Sequence, residues 1–276
     1  MTIPKTYKLF IGGKFPRTES GRILEVRGVK GELLANASRA SRKDFRNSVV
    51  AARKAQPGWA KSSAYLKGQI LYRVAEMLDG RKAQFVEELA AEGVKSAAQD
   101  VAGAIDLLVH YAGWSDKYQA LFSTVNPVAS PHFNFSVPEP SGVVGVVAPS
   151  DGSLAGLVSA LAPVLVGGNA VVLLASAGLR SAISFAEVLA TSDVPGGVVN
   201  ILTGRREELV PEFARHMDVN ALLLCSDDGG ERQEAELEAV ENLKRVSLKP
   251  DAPVVASPYA ILDFQEIKTT WHPVGV

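Results

Sequence analysis

Between Gly142 and Leu248 the chain alternates short apolar runs with helical stretches, and few folds accept that rhythm. The runs are Gly142–Pro149, Ala170–Leu174, Val198–Leu202, Ala221–Cys225 and Lys244–Leu248. Such strands lack the in–out alternation of a half-exposed sheet, so both of their faces have to be covered. The segments between them, 154–166, 179–190, 206–215 and 229–243, read as helices. Strands alternating with helices of about 10–15 residues predict an α/β fold, a doubly wound parallel sheet.

The residues before this core read differently. Residues 7–11 suit a strand turned by Gly12-Gly13, and a second apolar run spans Ile23 to Val26. Residues 41–60 predict a helix capped by Ser41 or Asp44 and stopped by Pro57-Gly58. Further helices are expected over 62–79, 82–93 and 96–122. Phe133–Val137 alternates as a strand, and residues 249–258 form a linker carrying Pro250, Pro253 and Pro258. The tail from Ile261 to Trp271 reads as one extended strand. A lone strand needs a partner, and 133–137 is the local candidate. The expected organisation is an N-terminal strand-and-helix part (1–130), a flap (131–141 with 259–276), an α/β core (142–250) and a linker (251–258).

Net charge is −1, so electrostatic nucleic-acid binding is not expected. No apolar run is long enough for a membrane span. Residues 1–10 carry polar groups where a signal peptide needs an apolar core, so a cytoplasmic location is expected. The single cysteine, Cys225, can form no intramolecular disulfide, which fits a reducing compartment. His110, His132, His216 and His272 lack ligand spacing, so no metal site is expected.

Several stretches resemble the aldehyde dehydrogenase family. Leu9-Phe10-Ile11-Gly12-Gly13-Lys14-Phe15 is similar to its N-terminal strand and turn. Pro138–Val147 resembles its approach to the dinucleotide fold. Ala162–Leu173 and Val194–Gly204 follow in matching order and spacing, and Phe264–Thr270 resembles the family's final strand. The resemblance implies a cofactor domain with a β-hairpin flap used for oligomerisation. It also implies that the catalytic domain has shrunk to the linker at 251–258.

The chemistry the resemblance implies is altered at each position. Aldehyde oxidation needs a thiolate, an oxyanion hole, a base and a bound nicotinamide. The family's nucleophile belongs to the missing domain, and Cys225 reads as a small buried hydrophobe at a strand end. Asp151 replaces the oxyanion asparagine, and an ionised carboxylate cannot donate to an oxyanion. Lys249 replaces the general-base glutamate, and a lysine is ordinarily cationic at neutral pH. Leu174-Ala175-Ser176-Ala177 stands where the family holds the adenine ribose. Cys225-Ser226-Asp227-Asp228-Gly229-Gly230 stands where it cradles pyrophosphate. The cofactor candidates reduce to Ser176, Ser226, Gly229 and Gly230; the leading expectation is no cofactor, with NAD(P) held at a phosphate loop over Gly229-Gly230 as the alternative. Arg205-Arg206 reads as an exposed helix start and Glu231–Glu241 as a solvated helix face.

The leading expectation is a catalytically inactive relative acting as a structural or accessory subunit. It resembles the degenerate second copy that two-part aldehyde dehydrogenases carry behind an active one. The implied partner is a full-length aldehyde dehydrogenase or a second copy, met through Phe133, Phe135, Phe264, Ile267 and Trp271. The alternatives are a contributor of cofactor site or substrate path to an active aldehyde-oxidising complex, and a nucleotide- or metabolite-binding module in the old crevice.

Overall fold

The computed structural model describes residues 4–275. The first three residues and the last, which the expected divisions include, lie outside them. Strands β1 (Thr6–Tyr7), β2 (Ile23–Arg27) and β3 (Leu33–Ser38) open the chain. Helices α1 (Arg42–Lys61), α2 (Ala64–Gly80), α3 (Lys82–Ala91), α4 (Ala97–Trp114) and α5 (Tyr118–Phe122) follow. Next come β4 (Thr124–Asn126) and β5 (His132–Pro140). The core runs β6 (Val143–Val147), α6 (Leu154–Val166), β7 (Ala170–Ala175), α7 (Leu179–Ala190), β8 (Val199–Thr203), α8 (Arg206–Arg215), β9 (Ala221–Cys225), α9 (Gly229–Ala239) and β10 (Arg245–Lys249). A short α10 (Tyr259–Leu262) and β11 (Gln265–Pro273) close it.

The core sheet is all parallel, in the order β10-β9-β6-β7-β8. Every residue of β6, β7, β8 and β9 is buried, as their unbroken apolar runs require. One face packs on α6 and α7, with α2, α3 and α4 behind them. The other face carries a single layer of α1, α8 and α9. Gly145 makes that second layer fit: a Cβ there would lie 2.7 Å from the ring of Phe213 on α8.

The expected partner of the tail is the observed one. β11 pairs antiparallel with β5 over its full length, and β4 takes the other side of β5. Asn169 ties this flap to the core. Its side chain accepts from Gly142 N (2.9 Å) and donates to the carbonyls of Val164 (3.3 Å) and Phe264 (3.1 Å).

Local expectations fail where tertiary contacts override them. Ser41 caps α1 with Asp44 in a reciprocal box, but Pro57-Gly58 does not end the helix. Trp59, 2% exposed, anchors the last turn by donating its indole N–H to Leu165 O at 3.0 Å. The long helix over 96–122 breaks after Trp114, where Ser115 Oγ donates to the carbonyl of Ala112 (2.8 Å). The tail is not one strand from Ile261. Ile261 and Phe264 are core residues, so a helical turn precedes β11.

A buried acidic pair sits between α3 and α7. Glu88 Oε1 accepts from Ser184 Oγ (3.1 Å) and Gln84 Nε2 (3.0 Å), while Glu92 meets only Arg180, at 3.7 Å. Burial pushes the Glu92 carboxyl up to about 7, opposed by Arg180 and helped by Glu88. The folded protein therefore keeps a proton that the unfolded chain releases near the ordinary value of 4.5. Stability falls as pH rises through that window. Glu92→Gln is expected to add about 2 kcal/mol at pH 8, roughly 5 °C in Tm, and little at pH 5. Equal gains at both pH values in thermal melts would refute the titration.

Candidate functional site

In a doubly wound sheet the natural ligand crevice lies at the carboxyl edge, where successive connections leave to opposite faces. Here that point is between β6 and β9: the chain leaves β6 for α6 on one face and β9 for α9 on the other. A dinucleotide phosphate would need free amides at one of these helix starts.

At both starts the chain's own side chains take several of the amides. At α6, Asp100 reaches over from α4 and accepts from Leu154 N (2.8 Å) and Ala155 N (3.2 Å), while Ser153 Oγ accepts from Gly156 N (2.9 Å). Burial raises the Asp100 carboxyl, partly offset by those two amides. At α9, Asp228 accepts from Gly230 N (2.7 Å) and Glu231 N (3.0 Å). A carboxylate on these amides stabilises the helix and excludes a second anion.

Arg206 fills the space between the strands. Its guanidinium donates to the carbonyls of Ala148 (3.1 Å), just past β6, and Cys225 (2.7 Å), at the end of β9. It also makes a two-point contact with the Glu231 carboxylate at 3.0 and 2.7 Å. The two side chains are 16% and 17% exposed. Arg206 is thus a buried bridge across the crevice and not the exposed helix start expected from sequence, while Arg205 beside it is 52% exposed. Both strands end in carbonyls that need donors, and Arg206 carries enough fixed N–H groups to serve both and the carboxylate.

The other positions named from sequence fall around this bridge. Asp151 is exposed and accepts from Ser153 N (3.0 Å), and the neighbouring Ser150 N donates to Asp251 of the linker at 2.6 Å. Lys249 pairs at 2.8 Å with Asp263, which lies between α10 and β11. Ser226 is buried: its N–H donates to Lys249 O (3.0 Å) and its Oγ accepts from Asp228 N (3.1 Å). Gly229 and Gly230 form the first turn of α9 under the Asp228 cap. Ser176 lines a pocket of about 340 Å³ together with Gly204, Arg205 and Arg206, and its hydroxyl has no partner. Cys225 is fully buried, and burial pushes its thiol up to about 12, so no thiolate forms at neutral pH. Among the described residues no cluster of three His, Cys, Asp or Glu could hold a metal, and no helix is long and apolar enough to cross a membrane.

Carboxylates thus hold amides at both helix starts, and the Arg206–Glu231 pair lies between the ends of β6 and β9. Arg206 and Glu231, expected on the surface, and Asp100, which the sequence does not single out, each act on a residue distant in the chain.

The flap residues divide. Phe264 is 1% exposed and belongs to the chain's own core, so it is withdrawn from the expected interface. Phe133 (45% exposed) and Phe135 share one face of the flap, with ring centroids 5.5 Å apart. Ile267 and Trp271, 58% and 57% exposed, lie opposite Pro138 and Asn134 and so occupy the other face.

Known proteins agree with this architecture. The aldehyde dehydrogenase family model matches residues 15–253. Cytosolic 10-formyltetrahydrofolate dehydrogenase of Xenopus laevis is 32% identical over 263 residues, covering 90% of this chain and 29% of that protein. Retinal dehydrogenase 2 of Mus musculus is 30% identical over 254 residues, covering 89% of this chain and 48% of its own. Lactaldehyde dehydrogenase from Escherichia coli superposes with a TM-score of 0.84 at 21% identity, over 90% of this chain and 52% of that one. The chain thus spans under half the length of these two curated relatives. With the parallel sheet, its matched segments and the flap strand in place, the chain belongs to the aldehyde dehydrogenase family.

Proposed function

We propose that this chain works by association and not by turnover, as a structural or accessory subunit of an aldehyde dehydrogenase assembly. The observation that carries the reading is the Arg206–Glu231 bridge between the ends of β6 and β9. It joins with the internal capping of α6 and α9, which occupies the amides of Leu154, Ala155, Gly156, Gly230 and Glu231. The buried Cys225 thiol and the carboxylate at Asp151 support the same reading, since neither suits acyl chemistry. The partner is a full-length NAD(P)-dependent aldehyde dehydrogenase, or a second copy, met through the exposed parts of the flap.

The test is to mix the purified chain with the full-length aldehyde dehydrogenase of its own source. A stoichiometric complex on gel filtration is expected, with NAD(P)-dependent turnover carried by the larger chain alone. NAD+ or NADP+ at millimolar concentration is expected to leave the Tm of the isolated chain unchanged. A bound ligand at 100 times its Kd would add about 2.7 kcal/mol. No complex, or a clear dinucleotide shift, sinks the reading. Turnover that requires both chains would instead make this one a contributor to an active complex.

The unpartnered hydroxyl of Ser176 beside Arg205 favours a second reading, a module binding a small hydroxylated metabolite or nucleotide. The same thermal screen, extended to nucleotides, decides it.

A further inference from the structure

The three-stranded sheet at the start of the chain borders a cavity of its own. β3 lies between β1 and β2, with Ser38 directly opposite Ile23 of β2. β1 runs parallel to β3 with Tyr7 beside Ala37, so the next residue, Lys8, comes level with Ser38. Side chains two residues apart share a face of a strand, which puts Thr6 with Lys8. The loop before β2 adds Arg17 and Arg22. That loop is pinned: Gly21, with φ 66°, donates its N–H to Thr18 O (3.2 Å), and Thr18 Oγ1 donates to the buried Asp44 (2.7 Å). Together these segments line a pocket of about 280 Å³.

Three cations line this pocket and no acid does. Among the described residues, Lys8 and Arg17 make no ion pair within the chain. Arg22 meets Glu208 only at 3.7 Å, because Arg39 holds that carboxylate. Glu25, on the same face of β2 as Ile23, is taken by Arg27 at 2.6 Å. Asp44 accepts from Ser41 N (2.8 Å) and Glu19 N (3.1 Å) as well as from Thr18. The nearby carboxylates are thus served within the chain, and the positive charge of the pocket is not. Exposed cations alone are served by water, but Ser38 is not exposed. It is 3% exposed and lines the pocket, and among the described residues its hydroxyl has no hydrogen-bond partner. A buried hydroxyl left unpaired is costly, and an acceptor held over it removes that cost.

We propose that this pocket binds a small phosphorylated metabolite, a phosphate monoester on a stem of a few carbons. Such a group carries about −1.5 to −2 charge at neutral pH and three strong acceptor oxygens. Lys8, Arg17 and Arg22 match the charge, and the Thr6 and Ser38 hydroxyls add short-range donors. Ile23, 51% exposed, gives the stem an apolar wall. The volume is near the lower end for ligand clefts, which suits a compound of this size and not a dinucleotide. The pocket shares no lining residue with the one at Ser176, so it stands or falls independently of any nucleotide there.

The test is isothermal titration calorimetry of the whole chain with glycerol 3-phosphate, inorganic phosphate and glycerol in about 50 mM salt. Glycerol 3-phosphate is expected to bind with a Kd of about 1 mM or below, and several-fold more weakly in about 500 mM salt. Inorganic phosphate should bind more weakly than the ester, and glycerol should not bind. Ser38→Ala, which keeps the small buried side chain, should weaken the ester about fivefold. Arg17→Ala should weaken it about tenfold, both with circular dichroism and Tm unchanged. Lys54→Ala, which removes an exposed cation on α1 outside the pocket, should leave the Kd as it was. No saturable binding of the ester, binding that survives both Ser38→Ala and Arg17→Ala, or an equal loss in Lys54→Ala overturns the proposal. Inorganic phosphate binding as tightly as the ester overturns the assignment to a metabolite with a carbon stem.

Discussion

Replacing Arg206 with methionine is expected to cost the fold about 3 kcal/mol, read as a shift in guanidinium midpoint at pH 7.5. The loss has three parts. The Glu231 carboxylate, 17% exposed, is left without a cation. The carbonyls of Ala148 and Cys225 lose their donor at the centre of the sheet edge. The space between β6 and β9 is refilled by a side chain with no polar reach. Breaking one half of a buried pair costs far more than removing both. Arg206→Met with Glu231→Leu is therefore expected to recover more than half of the loss. A single variant that costs under 1 kcal/mol would mean that water serves these groups. The crevice would then be open, and the case against a dinucleotide would weaken with it. The two variants thus test both the stability and the functional reading.

A comparable loss, about 2–3 kcal/mol, is expected for Lys244→Met. Lys244 is 8% exposed, and its ammonium donates to the carbonyls of Phe213 (2.9 Å), Ala214 (2.5 Å) and His216 (3.0 Å). Phe213 and Ala214 carry final carbonyls of α8, which have no partner within the helix, and His216 is the residue that follows it. One buried cation serves all three, and it also meets the negative end of the helix dipole. Burial holds its pKa down at about 8, so the site keeps the charge at neutral pH but close to its limit. Methionine keeps the stem and removes every donor. Equilibrium unfolding in urea measures the loss. A cost below 1 kcal/mol would show that solvent reaches the end of α8.

How much of this was legible beforehand depends on the range of the interaction. The helix over 154–166 has the bounds expected from its spacing, and Ser41 with Asp44 marks the start of α1 as a capping box should. β3 was not legible. Its Leu-Leu-Ala-Asn-Ala-Ser has no clean alternation, and it is a strand because β1 and β2 flank it. Pro57 reads as a stop, yet Trp59 packed against α6 outweighs the lost hydrogen bond.

At the site, the sequence supplied the charges of Asp151, Asp228 and Lys249, since a side chain's charge is a local property. It did not show what fills the crevice. Arg206 and Glu231 are 25 residues apart, and Asp100 caps an amide 54 positions away. The sequence by itself determined the strand–helix rhythm and the parallel sheet it demands. Periodicity, capping and charge act within a few residues, so they can be read from the chain. Only the tertiary structure decided that Arg206 bridges the two strand ends and that Ser38 lines a basic pocket. Those outcomes depend on which distant groups meet once the whole core is packed.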